Sequence, residues 1–378
     1  MRAFGLISGD VDLFTAVNDF NGAAILAYYS FDDKTITIRG HRLTPAVRST
    51  LVHELTHALQ DQHFDVGHRM AALRKESEHS ASTSKASVLD AIVDGDAERI
   101  QGLYRDSLTA HQRKALDAAQ HDESARAGKQ IERIPRVVVT MLASPYTLGE
   151  ALVQTVAVDG GNSAVDDLFG NAPTHESALL DPFQVLAGDT DAATVGVPNI
   201  RTGEKEFDSG ELGELTWYLM LAERLPLSEA LAAADGWGGD AYVAFERHHR
   251  SCARITYTGR TPQDSTRMLT ALQRWAAAAA GSTASVISDG KLLHFQSCDP
   301  GETTQVAKDA SADAIQLAVT RTYLGIGIMR SGAPYSTARC MAGRLVRAFP
   351  VARLINPTFG AGNPVVLARI RQVAAPCI

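Results

Sequence analysis

At 378 residues the chain exceeds the usual size of a single hydrophobic core and favours two domains or one large one. Hydrophobic residues at 45% and charged residues at 21% describe a globular, soluble protein and exclude a disordered or fibrous one. A net charge of -7 and a pI near 5.9, with no Lys/Arg cluster among aromatics, argue against nucleic acid as a partner, and no apolar run of about eighteen residues is present to span a membrane.

The opening residues, MRAFGLISGDVD, are too interrupted by glycine and aspartate for a signal peptide. The chain is therefore expected either to be cytosolic or to begin after an export segment. Residues 23–40, AAILAYYSFDDKTITIRG, are two strand-like runs joined by Phe31, Asp32, Asp33 and Lys34, which predicts a hairpin. Thr44 and Pro45 then supply a cap and a first helical residue. Val47, Leu51, Leu55, Ala58 and Leu59 follow at helical spacing and predict its buried face.

This helix carries HExxH. His53 and His57 lie about 40° apart on its surface, one turn from each other, with Glu54 to one side. Two neutral imidazoles one turn apart can share a metal ion, a third ligand comes from elsewhere, and an open position leaves room for an activated water. Glu54 beside that water fits a general base that later hands its proton to the leaving amine.

The third ligand is expected on the next helix, which Leu89, Ile92, Val93, Ile100, Leu103 and Tyr104 predict over residues 85–107. Asp90, Asp94 and Glu98 form an acidic row at four-residue spacing, and such rows are usually solvated faces. Gly95, beside Asp94, permits close backbone approach. Asp96 points into the apolar stripe, where a carboxylate needs a partner, and the outer nitrogen of a ligand histidine is one candidate.

His53 to Asp65, HELTHALQDQHFD, followed by VDGDAERI at 93–100, resembles a family of bacterial zinc metallopeptidases with exported members, whose motif reads HELTHALQDQHFDL with a later VEGDA. SPYTLGEALVQTVAVDGG, THESALLDP and GWGGDAYVAF extend the resemblance over about residues 20 to 250. It is also similar to the wider gluzincin group of zincin-fold peptidases. The resemblance implies one Zn2+ held by His53, His57 and Asp94, with Glu54 as acid and base, acting on a peptide or protein. Asp94 stands where the family has glutamate, which leaves Glu98, one turn on, as an alternative ligand or as a neighbour of the ligands. Tyr146 and His175, in family-like segments, are the candidate donors to a developing oxyanion. His63 and His68 do not have the spacing of a third histidine ligand; His63 reads as a packing residue or a neighbour of the ligands, and His68 as surface.

Residues 235–249 predict a tight glycine turn that anchors an aromatic segment, and His248 with His249 lack the one-turn spacing of a metal pair. Beyond Arg250, CARITYTG and LLHFQSC are strand-like, and three amphipathic runs, over 264–281, 312–324 and 335–349, are helical. Each strand-like piece carries a cysteine. Cys252–Cys298 is therefore the preferred bond, leaving Cys340 with Cys377, and two disulfides imply an oxidising compartment, extracellular or at the cell envelope. The expected architecture is α+β and mainly helical: a zincin-like domain over 1–250 with a small β-hairpin, then an accessory α/β domain over 251–378. The expected function is zinc-dependent peptide hydrolysis. The competing readings are a catalytically silent binding protein of the same fold and a zinc hydrolase of non-peptide amides.

Overall fold

The computed structural model describes residues 1–378 apart from 25, 40, 78–83, 279–283, 306, 357, 358, 360–362 and 378, and apart from the side chains of 23, 24 and 77. Helix α1 (Leu13–Ala24) leads into the expected hairpin, β1 (Ala27–Ser30) and β2 (Thr35–Ile38), which pair antiparallel with Ala27 opposite Ile38 and Ser30 opposite Thr35. Residues 25 and 40 of the predicted hairpin lie outside the described residues.

Helix α2 (Pro45–Phe64) starts as its sequence requires, with the Thr44 hydroxyl accepting the Val47 N–H at 3.2 Å. Its buried face, however, is polar. His53, Glu54, Thr56, His57, Gln60 and Asp61 are buried, while Leu55 and Leu59 are 49% and 56% exposed. The expected leucine face is thus only partly inside: Val47 is buried, and Leu51 and Ala58 are half-buried. The cause is what α2 packs against, since its inner side carries a polar cluster that must be kept from bulk water and satisfied there.

Then follow α3 (Val66–Ser77), α4 (Lys85–Ser107), α5 (Ala110–Ile131) and α6 (Arg136–Gly170), the last broken at Gly161, whose φ is 71°. In α4, Leu89, Ile92 and Val93 are buried as expected, but Leu103 is 56% exposed and Ile100 and Tyr104 are half-buried, because the second half of α4 runs out toward solvent. Helices α4 and α6 meet backbone to backbone. A Cβ on Gly149 would fall 1.8 Å from the Ala91 carbonyl oxygen, and one on Gly95 would fall 2.1 Å from the Gly149 carbonyl carbon.

Short helices α7 (Ser177–Leu180) and α8 (Phe183–Ala187) lead to β3 (Lys205–Gly210), α9 (Gly213–Ala222), α10 (Leu227–Ala234), β4 (Trp237–Arg247) and β5 (Arg250–Gly259). Helix α11 (Pro262–Ala277), β6 (Ser285–Ser288), β7 (Leu293–Cys298), α12 (Ser311–Arg330), α13 (Tyr335–Ala348), α14 (Val351–Leu354) and α15 (Pro364–Ala374) complete the chain. The expected strands and helices beyond Arg250 are all present, with residues 279–281 of the first helical run outside the described residues. Among the described residues the protein is mostly helical, with two small antiparallel sheets.

The larger sheet has the order β3-β4-β5-β7-β6. A boundary after residue 250 falls just inside β5, which pairs with β4 from Trp237–Gly259 to Arg247–Arg250. His248 and His249 form the turn between the two strands, at φ 51° and 60°. Residues from both sides of this position also share one hydrophobic core, in which Trp217 meets Tyr257 and Phe295 edge to face at 5.7 and 5.8 Å. Both expected disulfides are formed. Cys252 and Cys298 face each other across β5 and β7, and Cys340 on α13 reaches Cys377.

Candidate metal centre

Helices α2 and α4 bring His53, His57 and Asp94 together, with one ligand atom of each lying within 4.8 Å of the others. Asp94 Oδ1 lies 3.9 Å from His53 Nε2 and 3.4 Å from His57 Nε2. Bonds of about 2.0–2.1 Å in a tetrahedron separate ligand atoms by about 3.3 Å, so the three donors fit one metal ion without large movement. Glu98 does not share that arrangement. Its Oε1 approaches His53 at the other ring nitrogen, Nδ1, at 3.7 Å.

The ring nitrogens of His57 are assigned by their surroundings. Gln60 Nε2 donates to the Val93 carbonyl at 3.0 Å and to Asp96 Oδ2 at 3.0 Å, both acceptors, so the amide oxygen faces His57 Nδ1 at 2.9 Å. His57 therefore donates from Nδ1, which leaves Nε2 as the nitrogen that faces Asp94 and can carry either a proton or a metal ion. Arg99 holds Asp96 in turn through two N–H groups at 3.1 and 2.8 Å. Asp96 is buried as expected, but its partner from α2 is Gln60, and His57 is reached only through that amide.

Electrostatics favour neutral imidazole at His53 more than at His57. Burial, reinforced by His57, lowers the His53 pKa to about 4 against the opposing pull of Asp94. Burial also works against protonation of His57, yet Asp94, Gln60 and Glu54 outweigh it and leave that pKa raised. A cation between the two Nε2 atoms would replace that proton and answer the charge of Asp94.

Glu54 is 5% exposed, and its Oε2 accepts the Tyr29 N–H from β1 at 2.7 Å. Burial raises its pKa, opposed by His57 and by the Tyr29 N–H. The hairpin is pinned above Glu54 by Asp61, which accepts the Tyr29 hydroxyl at 2.9 Å and the Gly67 N–H at 3.0 Å and pairs with Lys34. Tyr146, on α6, brings its ring to 6.4 Å from that of His53 while remaining 42% exposed. Asp94 first, and burial second, raise its pKa, so its hydroxyl keeps its proton. Nearby, Glu98 is raised to about 7 by burial, Glu150 and Asp94, and the Tyr323 hydroxyl of α12 donates to Glu150.

His175 is elsewhere. Its Nδ1 lies 3.3 Å from Glu211 and its ring packs on Trp237. Glu211 also accepts from Ser84, which precedes α4 ten residues before Asp94, about 15 Å of helix away. The chain between α6 and α7 carries His175 to the N-terminal end of α4, away from Asp94, which removes it as a donor at this centre. His63 is exposed instead of packed, and His68 is exposed beside Asp65.

Sequence reasoning missed Tyr29, Gln60, Asp61, Glu150 and Tyr323. A signal existed for two of them, since Gln60 and Asp61 continue the His53–His57 face at the next i+3 and i+4 positions.

Residues 200–323 match a domain of unknown function, DUF8575. No curated protein and no solved structure matches the chain. The matched segment covers the five-stranded sheet and ends within α12, so it runs across residue 250 and leaves His53, Glu54, His57 and Asp94 outside.

Proposed function

We propose that the protein is a zinc-dependent peptidase of the HExxH type, exported to an oxidising compartment, as its resemblance to bacterial zinc metallopeptidases implies. The observation that carries this reading is the convergence of His53, His57 and Asp94 from two helices with buried Glu54 beside them. Nitrogen and carboxylate donors in this number leave a position open, which suits zinc in a hydrolytic role. When bound there, zinc supplies Lewis-acid activation of a water and a substrate carbonyl.

The chain's own residues do the rest. The Tyr29 N–H fixes one oxygen of Glu54, and the other, with no hydrogen-bond partner among the described residues, is left to take a proton from the attacking water and return it to the leaving amine. The raised pKa of Glu54 strengthens it as the acceptor in that exchange. Tyr146, protonated and half-exposed beside His53, is placed to donate to the oxygen of a developing tetrahedral centre. Two disulfides and the absence of a membrane-spanning helix among the described residues fit an extracellular protein.

The test is metal analysis of the purified chain together with cleavage of a mixed peptide library by wild type and Glu54→Gln. About one zinc per chain in both, with cleavage in wild type alone, is the expected result. Zinc retained without turnover in either would replace the peptidase by a silent binding protein. Cleavage confined to non-peptide amides would replace the substrate class.

A further inference from the structure

Helix α13 carries a basic face that the metal centre does not use. Ser336, Arg339, Cys340, Gly343, Arg344 and Arg347 fall within about 140° of its circumference, while Ala338, Ala342, Leu345 and Val346, on the opposite side, are buried in the core. The basic face forms one wall of a cavity of about 510 Å³, closed on the other side by Asp181, Asp235 and Arg321. The Cys340–Cys377 bond ties this helix to the end of the chain, and Arg344 Nε donates to the Val373 carbonyl at 2.7 Å, so the wall is braced.

The charges in the cavity do not cancel. Arg321 grips both oxygens of Asp235 at 2.7 Å, and Arg339 Nε donates to Asp181 at 2.7 Å. Asp235 is thereby held through both oxygens, and Asp181 through Oδ2 alone, its Oδ1 remaining buried without a hydrogen-bond partner among the described residues. Arg344 spends only one of its N–H groups on Val373, and Arg347 makes no hydrogen bond or ion pair among the described residues. Burial disfavours the charged form of Arg347, Asp235 opposes this, and the guanidiniums of Arg321, Arg344 and Arg267 add to it. The lining thus sets four guanidiniums, Arg321, Arg339, Arg344 and Arg347, against two carboxylates, Asp181 and Asp235, an excess of two positive charges on the side of Arg344 and Arg347.

The shape points the same way. Gly343 sits between Arg339 and Arg347, one turn from each, and a Cβ there would meet nothing but the Arg347 guanidinium, at 3.9 and 4.0 Å. A glycine inside a helix weakens it relative to alanine. Here it leaves a hollow among three arginines.

We propose that this cavity binds a doubly charged oxyanion of the phosphate class, free or as a phosphomonoester, between Arg344 and Arg347. Guanidinium groups present paired N–H donors that match such oxygens, and two of them balance two negative charges. The volume lies in the range of small-ligand sites and exceeds what a bare ion requires. This inference stands independently of the peptidase reading.

Calorimetric titration of the full chain with inorganic phosphate and with glycerol phosphate at low ionic strength tests it, with two variants that act differently. Arg344→Ala/Arg347→Ala removes the charge. Gly343→Leu keeps every arginine, favours the helix and fills the hollow, so it controls for any loosening caused by losing the Arg344–Val373 contact. The expected result is saturable one-site binding that weakens at least about tenfold in each variant, a change of about 1.4 kcal/mol. A phosphomonoester bound about tenfold more tightly than phosphate assigns the site to a phosphorylated molecule, and equal affinity assigns it to the free ion. No binding of either compound up to about 10 mM overturns the proposal. So does binding that survives both variants and disappears in His57→Ala, which would place the anion at the metal centre.

Discussion

Gln60 stands between His57 and Asp96, its Oε1 2.9 Å from His57 Nδ1 and its Nε2 donating to Asp96 Oδ2 at 3.0 Å. The amide does not touch the position a metal would take. It sets which histidine nitrogen holds the proton, and so which one is free to bind. Outer partners of this kind are worth 10- to 100-fold in metal affinity. Gln60→Leu is expected to weaken zinc binding by about that factor in competition with a chelating dye, with the helical circular dichroism spectrum preserved. Unchanged affinity would show that the tautomer is held by something other than this amide. Asp96→Asn should weaken binding less, because the Val93 carbonyl still orients Gln60.

The distance between α2 and α4 depends on how closely α4 lies on α6. Gly149→Ala places a methyl 1.8 Å from the Ala91 carbonyl oxygen, a contact with backbone that no side-chain rotation relieves. Separation of the helices is expected to destabilise the protein by about 3 kcal/mol or more in urea unfolding and to displace Asp94, which lies one turn beyond Ala91. Stability within about 0.5 kcal/mol of wild type would mean that α4 and α6 separate freely and that the glycine pair does not set the site.

Much of this was legible in the sequence because local rules governed it. Thr44 and Pro45 fixed the start of α2, the alternating run Thr35–Ile38 fixed a strand, and one-turn spacing fixed the pairing of His53 with His57. The cysteine pairs followed from which residues were strand-like. Periodicity failed where a helix buries polar groups. Leu55 and Leu59 look like an inward stripe, yet the inside of α2 is His53, Glu54, His57, Gln60 and Asp61, whose partners Tyr29, Val93 and Asp96 come from other elements. Contacts between remote segments also placed His175 beside Glu211, away from the metal centre, and continued one sheet through residue 250. No local pattern in the chain encodes those.

Away from the metal centre, Glu176 is raised from 4.5 to about 7 by burial and then by the charges of Glu211 and Asp240. The folded chain thus holds a proton there that the unfolded chain releases near 4.5. Its contribution to stability is full below the unfolded value and is lost as pH rises through the folded one. Between pH 5 and 8 the unfolding free energy of wild type is expected to fall by roughly 2 kcal/mol more than that of Glu176→Gln, whose amide cannot ionise. Parallel pH profiles for the two proteins in urea titrations would refute the assignment.

Asp94 and Glu98 compete on paper for the role of third ligand, and their geometry separates them. A metal ion held by the two Nε2 atoms is within reach of Asp94 Oδ1, which lies 3.9 and 3.4 Å from them. Glu98 faces the Nδ1 side of His53 instead, at 3.7 Å, outside the donor set. Asp94→Ala is therefore expected to abolish stoichiometric zinc after dialysis, while Glu98→Gln keeps about one zinc per chain with an affinity within about tenfold of wild type. Asp94→Glu, which supplies the residue that the proposed resemblance to metallopeptidases implies at this position, lengthens the arm by one methylene. It should retain zinc only if α2 and α4 can part to admit the longer side chain, and the Gly95–Gly149 contact resists that separation. Zinc lost in Glu98→Gln and kept in Asp94→Ala would reverse the assignment and move the ion to the other side of the His53 ring.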